Sequence, residues 1–200
     1  MRRAREANAK VIQVNIAEDN TIARAALSRL GFKYVRQFLK YKLDMVSLSW
    51  QAPSQAAQEC CHLRQGEEYK LTEIQNVSFA EHWGYNPNTL ETTTYRINLS
   101  RCSPEDIIIT CAGDRITGYC WTGPTDQQTG QIYMLGVAPD YRGKGIGRRL
   151  LLAGLAHLRS KGLQVAELTV DSENSSARAL YQSIGFENRA STLWYEKVIS

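Results

Sequence analysis

The 200-residue sequence lacks an apolar run long enough to cross a bilayer: the longest, Leu150 to Leu158, contains Gly154 and His157. Met1 to Lys10 is basic but has no apolar stretch of the kind a secretion signal needs, so a cytoplasmic protein without a membrane partner is expected. Cysteine is sparse and badly spaced for a framework. Cys60, Cys61, Cys102, Cys111 and Cys120 are odd in number, two are adjacent, and none forms a Cys-x-x-Cys pair. Reduced, buried thiols are expected. The histidines His62, His82 and His157 have no partner at metal-ligand spacing, so no metal is expected. The net charge of +4 is too small to argue for nucleic acid, and the arginines near Met1 read as a solvated helix end.

What is present is ordinary globular material, 43% hydrophobic and 22% charged, with enough chain for one or two domains. An internal repeat organises it. At a constant offset of 154 residues, Val11 matches Val165, Asn20 matches Asn174, and Ala23-Arg24-Ala25 matches Ala177-Arg178-Ala179. Gly31-Phe32 then matches Gly185-Phe186, and Tyr41 matches Tyr195. Each stretch reads as a strand, an Asn-capped helix ended by Gly, and a second strand. The offset is a domain length, so residues 1–48 are expected to be the C-terminal remnant of a first repeat whose remainder would precede Met1. Residues 49–58, rich in Pro, Ser, Ala and Gln, read as a linker, and 59–200 as a complete domain.

Within that domain Cys60 to Arg64 reads as an opening strand and Glu67 to Phe79 as a helix with Leu71, Ile74 and Val77 on one side. Asp106 to Thr110 and Ile116 to Trp121 form a hairpin pattern, Gln131 to Val137 another strand, and Gly147 to Lys161 an apolar helix. Hairpins followed by a β-α-β-α-β run predict an α/β or α+β sheet domain.

The chemistry-bearing stretch runs from Ile132 to Leu151. It is a strand, a turn at Pro139-Asp140, a loop holding Gly143, Gly145 and Gly147, and a helix. Glycines admit close ligand approach, and amides at a helix start make an anion site. Arg142, Lys144, Arg148 and Arg149 concentrate positive charge there, which suits a diphosphate. Two rival phosphate loops do not fit: no Gly-Lys-Ser/Thr follows a four-residue gap, and the spacing is Gly-x-Gly-x-Gly rather than Gly-x-Gly-x-x-Gly.

Arg142-Gly-Lys-Gly-Ile-Gly147, after a strand ending Leu-Gly-Val-x-Pro, resembles the pyrophosphate loop of the GNAT superfamily of acyl-CoA N-acyltransferases. Asn174-Ser-Ser-Ala-Arg-Ala-Leu-Tyr-Gln-Ser-Ile-Gly-Phe186 resembles its second signature. The likeness covers roughly residues 60 to 200, a span consistent with one domain. It implies a mixed, mostly antiparallel central sheet flanked by helices, with acetyl-CoA as co-substrate and a primary amine of unidentified acceptor. By that resemblance Leu135 and Val137, with Gly136 between them, would meet the pantetheine arm. Arg142, Gly143, Lys144, Gly145, Ile146, Gly147 and Arg148 would hold the diphosphate, and Asn174 and Ala177 the cofactor arm. Tyr181 would act as general acid toward the departing thiolate, a task a phenol with a reference pKa of about 10 can perform. The first repeat has Leu27 at Tyr181's equivalent place, so residues 1–48 are expected to be structural.

Phe79-Ala-Glu-His-Trp-Gly-Tyr-Asn-Pro87 resembles a segment of tandem-GNAT proteins, the mycothiol-synthase-like group among them, where the first helix meets the acceptor pocket. Glu81 or His82 is the candidate base, with His82, Trp83, Tyr119, Trp121 and Tyr133 on the substrate side. Phe79, Trp83 and Tyr85 read equally well as core, and Tyr119 and Trp121 as strand packing. The strand position where that group would carry a carboxylate is Gln131 here, which weakens any claim to the same acceptor. A second class of function stays open: an acyl-CoA-binding sensor or assembly domain without turnover. The fragment's unpaired strand edges also point to packing on another copy's fragment or on the second domain, favouring a homodimer through residues 1–48.

Overall fold

The computed structural model describes residues 9–49, 51–99 and 103–199; the basic segment 1–8 and Cys102 lie outside the described residues. In chain order the elements are β1 (Val11–Ala17), α1 (Thr21–Arg29), β2 (Lys33–Asp44), α2 (Gln51–Gln58), β3 (Cys61–His62) and α3 (Glu68–Phe79). Then come α4 (Leu90–Leu99), β4 (Ile107–Ala112), β5 (Arg115–Pro124), β6 (Thr129–Val137), α5 (Ile146–Ser160), β7 (Val165–Asp171), α6 (Ser175–Gln182) and β8 (Glu187–Val198). This is a mixed α/β architecture whose strands are mostly antiparallel. It divides into two compact units, Met1–Leu43 with Leu168–Ser200, and Asp44–Glu167.

The first unit carries both stretches related by the 154-residue offset. Its strand order is β1-β8-β2-β7, with β8 antiparallel to both β1 and β2. The β2–β8 register is its own image under the offset. Lys33 faces Glu196 as Lys42 faces Glu187, and Gln37 faces Leu193 as Leu39 faces Ser191. Phe38 and Thr192, which the offset exchanges, face each other at the centre. Even the irregularities match, because the register skips Val35 on β2 and Arg189 on β8. The turns repeat the relation. Glu18 N–H donates to Ser191 O (3.0 Å), as Ser172 N–H donates to Gln37 O (2.9 Å). Asn20 and Asn174 each cap a helix, accepting from Ala23 N (2.9 Å) and Ala177 N (3.1 Å).

The second unit orders its strands β6-β5-β4-β3, each antiparallel to the next. Strand alternation splits β5 between two faces. Tyr119 and Trp121 point into a core made with Leu71, Ile74, Ile97, Ile107 and Ile109. Gly118 and Cys120 face α5. A Cβ on Gly154 would come within 2.7 Å of Cys120 Sγ, and one on Gly118 within 2.8 Å of Leu150, so small residues let α5 sit directly on the sheet. That seating fixes where the helix, and the glycine loop before it, begins.

One expectation about the elements changes. Residues 49–58 are not a bare linker, since Gln51–Gln58 is helical with Pro53 and Ala56 buried on one side. Proline is tolerated in a helix's first turn, and the Ala/Gln remainder forms helix readily, so a linker-like composition packs against α5. The helix Leu90–Leu99, which the sequence reading did not include, has Thr93, 0% exposed, and Ile97 among its inward positions. The cysteines also differ from expectation. Cys61 and Cys111 are exposed, Cys60 half-buried, and Cys120 alone of the described four is fully inside.

Candidate functional site

β6 ends at Val137 and turns through Pro139–Tyr141 into the loop that starts α5. Gly143 and Gly145 have φ of +73° and +77°, a region L side chains rarely adopt, and a Cβ at either would meet no atom within 4 Å. Arg149 N–H donates to Gly145 O (3.1 Å) as the first bond of the helix. The amides of Ile146 and Gly147 therefore have no helical acceptor and add their partial positive charge to the loop. The loop is open above and donor-rich.

The cations around it are mostly committed to the protein. Arg142 donates through Nη2 to Ser78 O (2.9 Å) and through Nε to Val137 O (3.3 Å), with Glu81 3.9 Å away. Lys144 donates to Asp140 O (3.0 Å) and lies 5.2 Å from the Tyr141 ring centroid. Arg149 pairs with Glu59 at 3.0 Å. Arg142 thus ties the last turn of α3 to the end of β6.

On β6, Ala138 N–H donates to Thr117 O (2.9 Å). By antiparallel alternation the peptide groups of Leu135 and Val137 then point away from β5. The β5–β6 register slips between Trp121 and Thr122, leaving Tyr133 as the bulged residue, 42% exposed, its hydroxyl 3.4 Å from Pro124 O. Gly136 is required by packing. A Cβ there would lie 2.6 Å from Tyr119 and 2.9 Å from Ser78.

Beyond α3, His82 N–H donates to Phe79 O (2.9 Å), and the two rings are 4.7 Å apart. Glu81 is exposed; His82 and Trp83 are half-buried. Tyr119 and Trp121, offered as acceptor walls, sit in the core at 0% and 4% exposure. Both faces of β5 are covered, so an aromatic on either face becomes interior. Tyr119 OH, Trp121 Nε1, Ser78 Oγ and Thr93 Oγ1 are buried without a hydrogen-bond partner. Burial raises the Tyr119 phenol well above its usual range, which keeps it neutral and removes it as a base.

The second signature lies in the other unit. The Asn174 carboxamide oxygen caps α6 and accepts from Ser176 Oγ (3.1 Å), which leaves its NH₂ group to donate elsewhere. Tyr181 is 7% exposed, with ring centroids of Tyr41 and Phe186 at 6.3 and 5.9 Å.

One polar cluster escaped the sequence reading. Asp106, 1% exposed, accepts from His157 Nε2 (2.8 Å), Ser103 N–H (2.7 Å) and Lys161 Nζ. Burial pushes its carboxyl up, but the hydrogen bonds from His157, Lys161 and Ser103 prevail and hold it well below the usual carboxylate range. His157 and Lys161 share a helix face, but nothing in the sequence marks Asp106 as their partner. His157 is thus a structural hydrogen-bonding residue. Among the described residues no group of three or more His, Cys, Asp or Glu could hold a metal ion, and no helix is long and apolar enough to cross a membrane.

A strand whose Leu135 and Val137 peptide groups point away from β5 thus runs into a positive-φ glycine loop at the start of a helix, in an α/β domain. The chain belongs to the Acetyltransferase (GNAT) family, whose pattern matches residues 69–186. It is 39% identical over 131 residues to a mycothiol acetyltransferase of Thermobifida fusca, covering 60% of this chain and 41% of that protein. It is 30% identical over 171 residues to one of Propionibacterium freudenreichii, covering 82% and 54%. The chain thus spans about half the length of the curated relatives it matches. In fold it is similar to a GCN5-related N-acetyltransferase from Sphaerobacter thermophilus, with a TM-score of 0.74 at 22% identity over 94% of this chain and 59% of that one.

Proposed function

We propose that this chain carries an acetyl-CoA-dependent N-acetyltransferase domain that acts on a primary amine. The observation that carries this reading is the open loop at Gly143 and Gly145, following a strand that turns the Leu135 and Val137 peptide groups outward. Acetyl-CoA supplies a thioester carbonyl for the amine to attack. The loop amides from Gly143 to Arg148 hold the diphosphate, and Leu135 and Val137 pair with the pantetheine arm; Asn174 is given to the cofactor by the second signature. The amine must lose a proton to Glu81, His82 or a water beside them, Tyr119 being held neutral. Tyr181 gives a proton to the sulfur as the C–S bond breaks. Most of the rate comes from holding amine and thioester in register.

Mycothiol acetyltransferases are among the relatives, yet Gln131 occupies the position where a carboxylate is expected in that group. We therefore leave the acceptor open between a small amine and a peptide N-terminus. The offset-symmetric register of β2 and β8 supports reading residues 1–48 as part of a repeat of 165–200, with no acyl-CoA chemistry of their own. β1 and β2 both pair with β8, so the fragment packs on the rest of the chain; self-association through residues 1–48 and a cytoplasmic setting remain part of the proposal. A non-catalytic acyl-CoA sensor is the rival.

Calorimetry with acetyl-CoA on wild type and Gly145→Glu tests the central reading. Micromolar binding, weakened at least a hundredfold by a carboxylate and side chain at a positive-φ position, is expected. Thiol release with an amine panel then separates enzyme from sensor. Undetectable wild-type binding would sink both.

A further inference from the structure

The helix α3 ends without the usual local help. Its last turn holds no basic residue, and Ala80, which closes it, is in ordinary right-handed conformation rather than a left-handed glycine turn. Carbonyls at such an end need donors from outside the helix, and a cation suits its negative pole. Phe79 O accepts from His82 N–H (2.9 Å). Ser78 O accepts from Arg142 Nη2 (2.9 Å), 64 residues on in the chain.

The segment that follows is fastened to α3 at both ends. His82 O accepts from Tyr85 N–H (3.1 Å), so two successive turns hang from Phe79 O. Asn76 brings the far end back: its Nδ2 donates to Asn88 O (2.9 Å), and its Oδ1 accepts from Asn88 N–H (2.8 Å). Residues 80–88, with Glu81, His82 and Trp83, therefore travel with the end of α3. That end meets β6 at two places. One is Gly136, where a Cβ would lie 2.9 Å from Ser78 Cβ. The other is Arg142, which holds Ser78 O by Nη2 and Val137 O by Nε (3.3 Å).

We propose that Arg142 is a positioning residue for the acceptor side, setting residues 80–88 against the end of β6, and that its side chain is not a diphosphate ligand. The proposal rests on the acetyltransferase reading above, in which the diphosphate is held by loop amides and asks nothing of this guanidinium. The side-chain chemistry fits a strut. A planar guanidinium can span two carbonyls on different elements, whereas a lysine ammonium on a flexible stem keeps the charge but not the fork. The remaining nitrogen, Nη1, lies 3.9 Å from Glu81 Oε2, on the segment that Arg142 positions. Val137 supplies one of the two held carbonyls, so the strand that takes the pantetheine arm and the segment that takes the amine share one side chain.

Calorimetry with acetyl-CoA and amide exchange on the full chain test this, with Arg142→Gln and Arg142→Lys beside wild type. Acetyl-CoA affinity should stay within about threefold in both variants, whereas losing a charged diphosphate ligand would cost about tenfold or more. Exchange at the His82 and Tyr85 amides should quicken about tenfold in both, because neither replacement spans the two carbonyls. With alanine amide and ethanolamine as probe acceptors, kcat/KM for the amine should fall by up to about a hundredfold while half-saturation by acetyl-CoA holds. General loosening of the fold would not give that split between substrates. Turnover of neither probe by wild type leaves affinity and exchange to decide. Acetyl-CoA binding at least tenfold weaker in either variant would return Arg142 to the diphosphate and overturn the proposal. Unchanged exchange at both amides, or an unmoved amine kcat/KM, would overturn it equally. Failure of wild type to bind acetyl-CoA would instead sink the acetyltransferase reading, and quickened exchange would then leave Arg142 as a structural contact only.

Discussion

Residues 11–44 and 165–198 follow one path. Each runs strand, Asn-capped helix, glycine turn and long strand, and the two long strands lie against each other in a register that the offset maps onto itself. Their side chains diverge where a ligand would be met. Tyr181 is 7% exposed at the position that Leu27 fills in the first stretch. Ile184, 8% exposed, answers to Leu30 at 61%. No residue of α1 is buried, whereas α6 buries Tyr181. A backbone plan and its capping chemistry have been kept in both stretches, while burial and the phenol belong to one. One backbone plan thus carries two different sets of side chains.

The comparison breaks most visibly in turnover. Tyr181→Phe should lower kcat by roughly 10²- to 10⁴-fold, the range for loss of a positioned acid, with acetyl-CoA affinity little changed. Leu27→Phe, which places the same final residue at the matching position, should leave kcat alone. Steady-state rates beside calorimetric affinities decide this. A Tyr181→Phe enzyme within twofold of wild type would remove the phenol from the mechanism.

Much of this was legible in the sequence because the signals were local. The glycine loop and the capping asparagines each lie in consecutive residues, and both stand in the structure as loop and caps. What depended on distant partners was not legible. Tyr119 and Trp121 read as a pocket wall until both faces of β5 proved covered, and Asp106 gave no hint of His157 and Lys161, more than fifty residues on. Arg142 read as a diphosphate ligand, while its guanidinium bonds Ser78 O and Val137 O, carbonyls that no motif announces. The alanine- and glutamine-rich join misled in the other direction, since helix propensity without apolar periodicity still yields a packed helix against α5.

A smaller difference should appear in stability. Ile184→Ala removes a buried aliphatic side chain and should cost about 2–4 kcal/mol in denaturant unfolding. Leu30→Ala at the matching exposed position should stay within about 0.5 kcal/mol. Equal costs would mean that something covers Leu30 in solution, and the asymmetry between the two stretches would be smaller than the exposures indicate.

The finest distinction concerns the caps, where the local geometry is the same. Asn20 and Asn174 both accept from the amide three residues on, at 2.9 and 3.1 Å. Replacing a capping asparagine with alanine costs about 1 kcal/mol when the helix melts only with the whole fold. That condition holds for α6, which is anchored by buried Tyr181. It fails for α1, which buries nothing and can fray by itself. Asn174→Ala should therefore lower global stability by about 1 kcal/mol, while Asn20→Ala should mainly speed amide exchange within Thr21–Arg29 and shift the unfolding midpoint by less than half as much. Matching midpoint shifts would show α1 to be as firmly bound into its unit as α6, and the two stretches would then differ in chemistry alone.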